Sequence, residues 1–175
     1  KIRSLASDIV SYSNLNKVSS IAIDARSFSI TSKNLQAFVE GLMIGSYQFL
    51  NYKPKSKGNT LTDVTLIGSV DQKIVSKGAV IGLGVCYGRD LSNHPPNILT
   101  PSYIANEAVK IAKSNKKMKS KIIDVSKFQS LGLGSFYGVA MGAYEPAKFI
   151  MVEYNGGRAK DKPLALVGKG LTFDS

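Results

Sequence analysis

The run His94-Pro95-Pro96-Asn97 does more than any other feature to limit how this chain folds. Proline has no amide hydrogen and its ring clashes with the preceding helical turn, so no helix passes through two in succession. The residue ahead of each proline is also driven toward extended geometry. A domain boundary is therefore placed at Asn93/His94. Ahead of it, Asp71 to Asn93 has a helical pattern, with Ile74, Val75, Ile81, Val85 and Leu91 expected to be buried. Gly78, Gly82, Gly84 and Gly88 interrupt that pattern, each costing about 1 kcal/mol against alanine in a helix interior. Close packing against a neighbouring element would offset the cost.

Downstream of the break, Thr100-Pro101 restarts a helix, a hydroxyl N-cap followed by proline at the first helical position. Its expected buried face is Ile104, Ala108, Ile111 and Ala112. Lys121 to Val125 reads as a strand, Lys127 to Leu131 as a short helical turn, and the glycine-rich Gly132 to Gly142 as an ordered loop. Lys148 to Tyr154 and Leu164 to Val167 read as strands joined by the turn Asn155-Gly156-Gly157.

Upstream, Ile2, Leu5, Ala6, Ile9 and Val10 share one helix face, and Ser11 to Asn16 reads as a polar break. Val18 to Ile23 is expected to be a strand. Thr31 and Ser32 are plausible N-caps of a helix whose face carries Leu35, Phe38, Val39, Leu42, Ser46 and Phe49 through about four turns. Pro54, Gly58 and nearby lysines form a loop, and Asp63 to Gly68 a second strand. Strand, helix, strand in that order predicts a parallel sheet covered by helices, an α/β fold.

Composition narrows the function classes. The 175 residues are 43% hydrophobic and 20% charged, enough for a real core. No apolar run approaches the roughly 20 residues that span a bilayer, which predicts no membrane partner. Lys1 to Asp8 carries charges and lacks the apolar centre of a secretion signal. Cys86 is the single cysteine, so an internal disulfide is excluded, as suits a reducing cytoplasm; it is expected to be a small buried apolar residue. The net charge of +11 invites a nucleic-acid reading. The lysines fall in two loose groups, Lys53, Lys55 and Lys57, then Lys113, Lys116, Lys117, Lys119 and Lys121. Neither group is interleaved with aromatics for base stacking, and both sit at helix ends or loop starts, so a solvated surface is the favoured reading.

Several motifs fail on inspection. Gly82-Leu83-Gly84 and Gly132-Leu133-Gly134 begin like a dinucleotide fingerprint, but Tyr87 and Tyr137 stand where its third glycine belongs. Gly168-Lys169-Gly170 lacks the upstream glycine and following hydroxyl of a P-loop. His94, the only histidine, favours neither a histidine-built zinc site nor a triad; beside two prolines it reads as a locally satisfied loop residue.

The chain ends in Leu164-Ala165-Leu166-Val167-Gly168-Lys169-Gly170-Leu171-Thr172-Phe173-Asp174-Ser175. Ligand sites in α/β folds gather at the carboxyl ends of strands, and a lysine between glycines has little steric cover there. Lys169 and Asp174 admit two readings: an exposed ion pair, or donors to a metal. In the second the lysine must be neutral, which a nearby dication strongly favours.

The segment Val167 to Ser175 is very similar to the strand-end signature of leucyl (cytosol) aminopeptidases. Gly88-Arg89-Asp90-Leu91-Ser92-Asn93-His94-Pro95-Pro96-Asn97-Ile98-Leu99-Thr100-Pro101 resembles that family's interdomain junction. Gly132 through Val139, Gly142, Glu145-Pro146 and Glu153-Tyr154 resemble the early part of its catalytic domain. Glu40-Gly41-Leu42 with Tyr47, Phe49 and Tyr52-Lys53 resembles the last helical region of its N-terminal domain. Leu133 stands where the family more usually has methionine.

The resemblance implies an α/β chain in three parts. Residues 1–68 would end an N-terminal macro-like α/β domain, 69–93 would be a connecting helix, and 94–175 would begin a mixed-sheet zinc-exopeptidase domain. It implies release of N-terminal residues, leucine-type, from peptides by a hydroxide generated between two divalent cations, zinc or manganese. The residue matching Lys169 binds one cation and the carboxylate matching Asp174 bridges both, the remaining ligands and the catalytic lysine and arginine lying past Ser175. No catalytic residue falls within the chain, so it is expected to be inactive alone. The resemblance also implies a cytoplasmic homo-hexamer; the alternative is a DNA-binding accessory or a non-catalytic homologue.

Overall fold

The computed structural model describes residues 1–158 and 160–173. The chain divides into two compact units, Lys1–Asn93 and His94–Ser175.

The first unit runs α1 (Ile2–Leu15), β1 (Ser20–Asp24), α2 (Leu35–Gly45), β2 (Asp63–Ile67) and α3 (Gln72–Asn93). Strands β1 and β2 pair in parallel, Ser20 opposite Asp63 through Asp24 opposite Ile67, with α2 as the crossover, as strand-helix-strand order predicts. Ala6 and Val10 of α1, Ile23 of β1, and Leu35, Phe38, Val39 and Leu42 of α2 form the centre of the core.

Three local expectations shift. The polar stretch from Ser11 does not break α1, because its side chains find partners within the helix or just beyond it. Ser13 Oγ donates to the Ile9 carbonyl at 2.8 Å. Asn14 Oδ1 accepts from the amides of Thr60 and Leu61 at 2.7 and 3.0 Å, pinning the approach to β2. Helix α2 ends at Gly45, short of Phe49, and its N-cap is Asn34 rather than Thr31 or Ser32; Asn34 Oδ1 instead accepts the Thr31 amide at 2.8 Å.

The third shift concerns α3. It is helical over Gln72–Asn93, yet its buried residues are Gly78 and Gly82; Ile81 and Val85, expected inside, are exposed. Apolar residues surround this helix, so periodicity does not choose a face. Backbone proximity does. A methyl group on Gly78 would lie 2.8 Å from the Gln36 carbonyl oxygen and 2.9 Å from Val39 Cβ, and one on Gly82 would lie 2.5 Å from Met43 Cβ. Across the other side of α2, a methyl on Gly41 would lie 2.6 Å from the Arg3 carbonyl oxygen, and one on Gly45 2.7 Å from Ser7 Cα. The helix layer is thus closed by glycine at both interfaces.

Within it, Glu40 is only 4% exposed. Gln36 donates to its Oε1 at 2.8 Å and Arg3 Nε to its Oε2 at 2.7 Å. The Gln36 amide, then the Arg3 guanidinium, hold the carboxyl below the usual glutamate range against the opposing effect of burial, with Lys77 adding attraction.

The second unit runs α4 (Pro101–Ser114), β3 (Met118–Asp124), a 3-10 turn (Val125–Lys127), α5 (Gly134–Ala140) and β4 (Lys148–Tyr154). Thr100 caps α4 as its sequence predicts, its Oγ1 accepting the Tyr103 amide at 3.2 Å. The buried face is Ala105, Ala108 and Ala112, while Ile111 is exposed. Strands β3 and β4 pair antiparallel, Met118 opposite Tyr154 through Asp124 opposite Lys148, and Lys148 Nζ donates to Asp124 across that last pair. The glycine-rich stretch expected to be a loop contains α5. Phe136 on this helix stacks edge-on between Phe128 and Phe149, centroids 4.9 and 5.8 Å away, which supplies the apolar anchor.

Two outcomes test this packing. Gly78→Ala and Gly82→Ala should each lower unfolding free energy by about 1–3 kcal/mol in urea titrations, since overpacking outweighs the gain in helix propensity. Gly84→Ala, with no atom within 4 Å of the added carbon, should instead raise it by up to about 1 kcal/mol. Because the Glu40 pKa is depressed in the fold, its contribution is complete above the ordinary carboxylate value of about 4.3 and disappears as pH falls through the lower folded value. The urea midpoint should therefore drop over that acid window, and Glu40→Gln should flatten the drop.

Candidate metal-ligand segment

The residues singled out by sequence lie after β4. Asn155 donates its amide to the Lys117 carbonyl oxygen at 2.8 Å, the last backbone bond of the β3–β4 ladder. A small knot follows, in which Arg158 pairs with Asp161 at 3.1 Å. Leu164 to Val167, expected to be a strand, carries no strand pairing. Leu164, Leu166 and Val167 are 86%, 89% and 97% exposed. The apolar, β-prone composition is present, but a strand also needs a neighbour, and among the described residues none lies beside it.

Lys169 therefore stands on an exposed extended segment and not at the end of a paired strand. A methyl group built on Gly168 or Gly170 would meet nothing within 4 Å, so the backbone on either side of the lysine is open to approach. Asp174, the other expected ligand, lies outside the described residues.

The donor set decides how far a pair of dications fits. Two such ions need several oxygen or nitrogen donors converging on one point. Among the described residues no group of three or more His, Cys, Asp or Glu side chains does so. Lys169 offers a single amine, which becomes a donor only when neutral. These residues do not by themselves form a two-metal centre.

Other sequence candidates are placed structurally. Cys86 is half-buried, its thiol directed at the Met43 carbonyl oxygen at 3.6 Å, and burial pushes its pKa up, which keeps it an unreactive thiol. His94 lies at a bend, its ring 5.7 Å from that of Tyr103. A cleft of about 470 Å³ in the first unit is lined by residues such as Val39, Leu42, Met43, Leu61, Val64 and Val75. No titratable side chain lines it, so it offers no acid-base chemistry. No described helix is long and apolar enough to cross a membrane.

Against known proteins, the chain matches the model of the cytosol aminopeptidase family, catalytic domain, over residues 86–175. That span includes the second unit and the Lys169 segment. A probable cytosol aminopeptidase of Pseudomonas syringae pv. tomato is 40% identical over 145 residues, covering 79% of this chain and 29% of that protein. One from Nitrosococcus oceani is 42% identical over 123 residues, covering 70% and 25% respectively. Among solved structures, a mutant of tomato leucine aminopeptidase superposes with a TM-score of 0.89 at 28% identity, over 99% of this chain and 37% of that one. The bottromycin maturation enzyme BotP, solved with Mn, shares the fold at a TM-score of 0.73 and 21% identity, over 86% of this chain and 32% of that one.

An α/β chain with a parallel ββ pair, an antiparallel ββ pair and this carboxyl-terminal segment is of the leucine aminopeptidase type. The chain belongs to the cytosol aminopeptidase family, a family of hydrolases that act on peptides. It spans about 29% of the length of the curated relatives it matches.

Proposed function

We propose that this chain is part of a metal-dependent cytoplasmic aminopeptidase that releases N-terminal residues, with leucine-type preference, from peptides. The observation that carries the proposal is the catalytic-domain match over residues 86–175, which runs through Lys169 and Asp174. In this reading Lys169 and Asp174 are metal ligands, the lysine through its neutral amine and the aspartate as a carboxylate shared by two divalent cations, zinc or manganese. Bound cations of this kind lower the pKa of a coordinated water and polarise the scissile carbonyl. The contribution of the chain itself is to present Lys169 between two glycines, at each of which an added methyl group would meet nothing within 4 Å. The whole enzyme is a homo-oligomer, a hexamer on the family pattern.

The 175-residue chain alone should be inactive, since one amine and one carboxylate do not hold two dications. Purified and supplied with manganese or zinc, it should show no turnover of leucine amide; measurable hydrolysis would contradict this. In the whole enzyme, Asp174→Ala should abolish tight binding of the metal pair and with it activity. Unchanged metal content by elemental analysis, together with unchanged turnover, would overturn the ligand assignment.

One observation favours a second reading, duplex DNA as a partner. Lys113, Lys116, Lys117, Lys119 and Lys121 are exposed, and among the described residues none enters an ion pair, unlike Lys110, Lys148 and Arg158. If these lysines replace counterions on phosphate, the logarithm of affinity should fall with the logarithm of salt at a slope of about −4. A flat response means a solvated surface.

A further inference from the structure

Burial in α3 stops halfway: after Gly82, at the middle of the helix, no residue is buried. The remaining half is fastened by polar contacts, and they converge on the carboxyl end of α2. The Cys86 thiol and the Arg89 guanidinium reach the carbonyl oxygens of Met43 and Ile44 at 3.6 and 3.5 Å. Carbonyls of a last helical turn lack intrahelical donors and carry the negative end of the helix dipole. A cation from a neighbouring helix suits them.

Tyr47, two residues past the end of α2, completes the arrangement. Its hydroxyl donates to Asp90 Oδ1 at 2.9 Å and accepts from Asn93 Nδ2 at 3.0 Å. The Arg89 guanidinium lies over its ring, 5.5 Å from the centroid, a cation–π distance. One tyrosine therefore touches residues on both of the last two turns of α3, up to the final residue of the first unit.

We propose that Tyr47 and the carboxyl end of α2 form a clasp on α3, so that residues 83–93 open and close as a unit distinct from residues 72–82. The inner half is held by glycine-mediated backbone contact, which is all-or-none. The outer half makes side-chain hydrogen bonds to one phenol and two carbonyls, which can be released one side chain at a time. The clasp ends at Asn93, just ahead of Pro95 and Pro96, which forbid further helix.

Amide hydrogen exchange on the whole chain tests this. Tyr47→Phe keeps the ring and the cation above it but deletes both hydrogen bonds. Exchange at amides 87–93 should accelerate about tenfold, with amides 76–82 unchanged. Arg89→Met, which keeps an aliphatic stem but removes the cation, should accelerate the same amides. Equal acceleration along the whole helix, or none in either variant, would overturn the proposal. Should Tyr47→Phe lose its fold by circular dichroism, the clasp would be a general stability element and the proposal would fail.

Discussion

The close approach of three helices, with glycine at each contact, is the constraint from which the first unit follows. Gly41 and Gly45 let the α1 backbone settle on one side of α2, and Gly78 and Gly82 let α3 settle on the other. Each pair is spaced four residues apart, so both members face the same way on their helix. With the backbones this near, α2 is enclosed: Phe38 is fully buried in the core and Glu40 is drawn into the layer with its partners Gln36 and Arg3. The charge is tolerated there because it is hydrogen-bonded from two sides; stripped of those donors it would be a buried anion with a cost of several kcal/mol.

Much of this order was legible in the residues, and the misses have physical causes. The βαβ unit, the Thr100-Pro101 helix start and β4 depend on local chemistry: β-branched runs, a hydroxyl cap, a proline with no amide to satisfy. Those signals could be read without knowing a partner distant in sequence. Where the outcome depended on a partner distant in sequence, local pattern gave the wrong result. Asn14 read as part of a break because its partners, the amides of Thr60 and Leu61, lie far along the chain. Ile81 and Val85 read as core because size was taken as the reason for burial, whereas α3 turns inward the residues that have no side chain at all. Leu164 to Val167 read as a strand, and composition alone does not make one.

The same distinction divides the functional reading. The family is written in contiguous blocks and could be recognised without a structure. The metal site is an assembly of donors brought together in space, and the described residues bring no such group together. Lys169 stands on an exposed segment, and a lysine amine becomes a ligand only where a nearby dication favours its neutral form. What the second unit supplies by itself is the scaffold, α4 with a two-stranded antiparallel ribbon and an aromatic triplet, and the Lys169 segment follows that ribbon.

That ribbon has a consequence of its own. Among the described residues each of its two strands pairs with one neighbour only, so each presents a row of amides and carbonyls on its outer side. Met151 and Val152 lie on β4, and the Leu164 to Val167 stretch follows it uncovered. Open edges beside apolar β-prone sequence are templates for intermolecular pairing. Lys119 and Lys121 are exposed on β3, and like charges on an edge oppose such pairing between molecules, an opposition that salt screens.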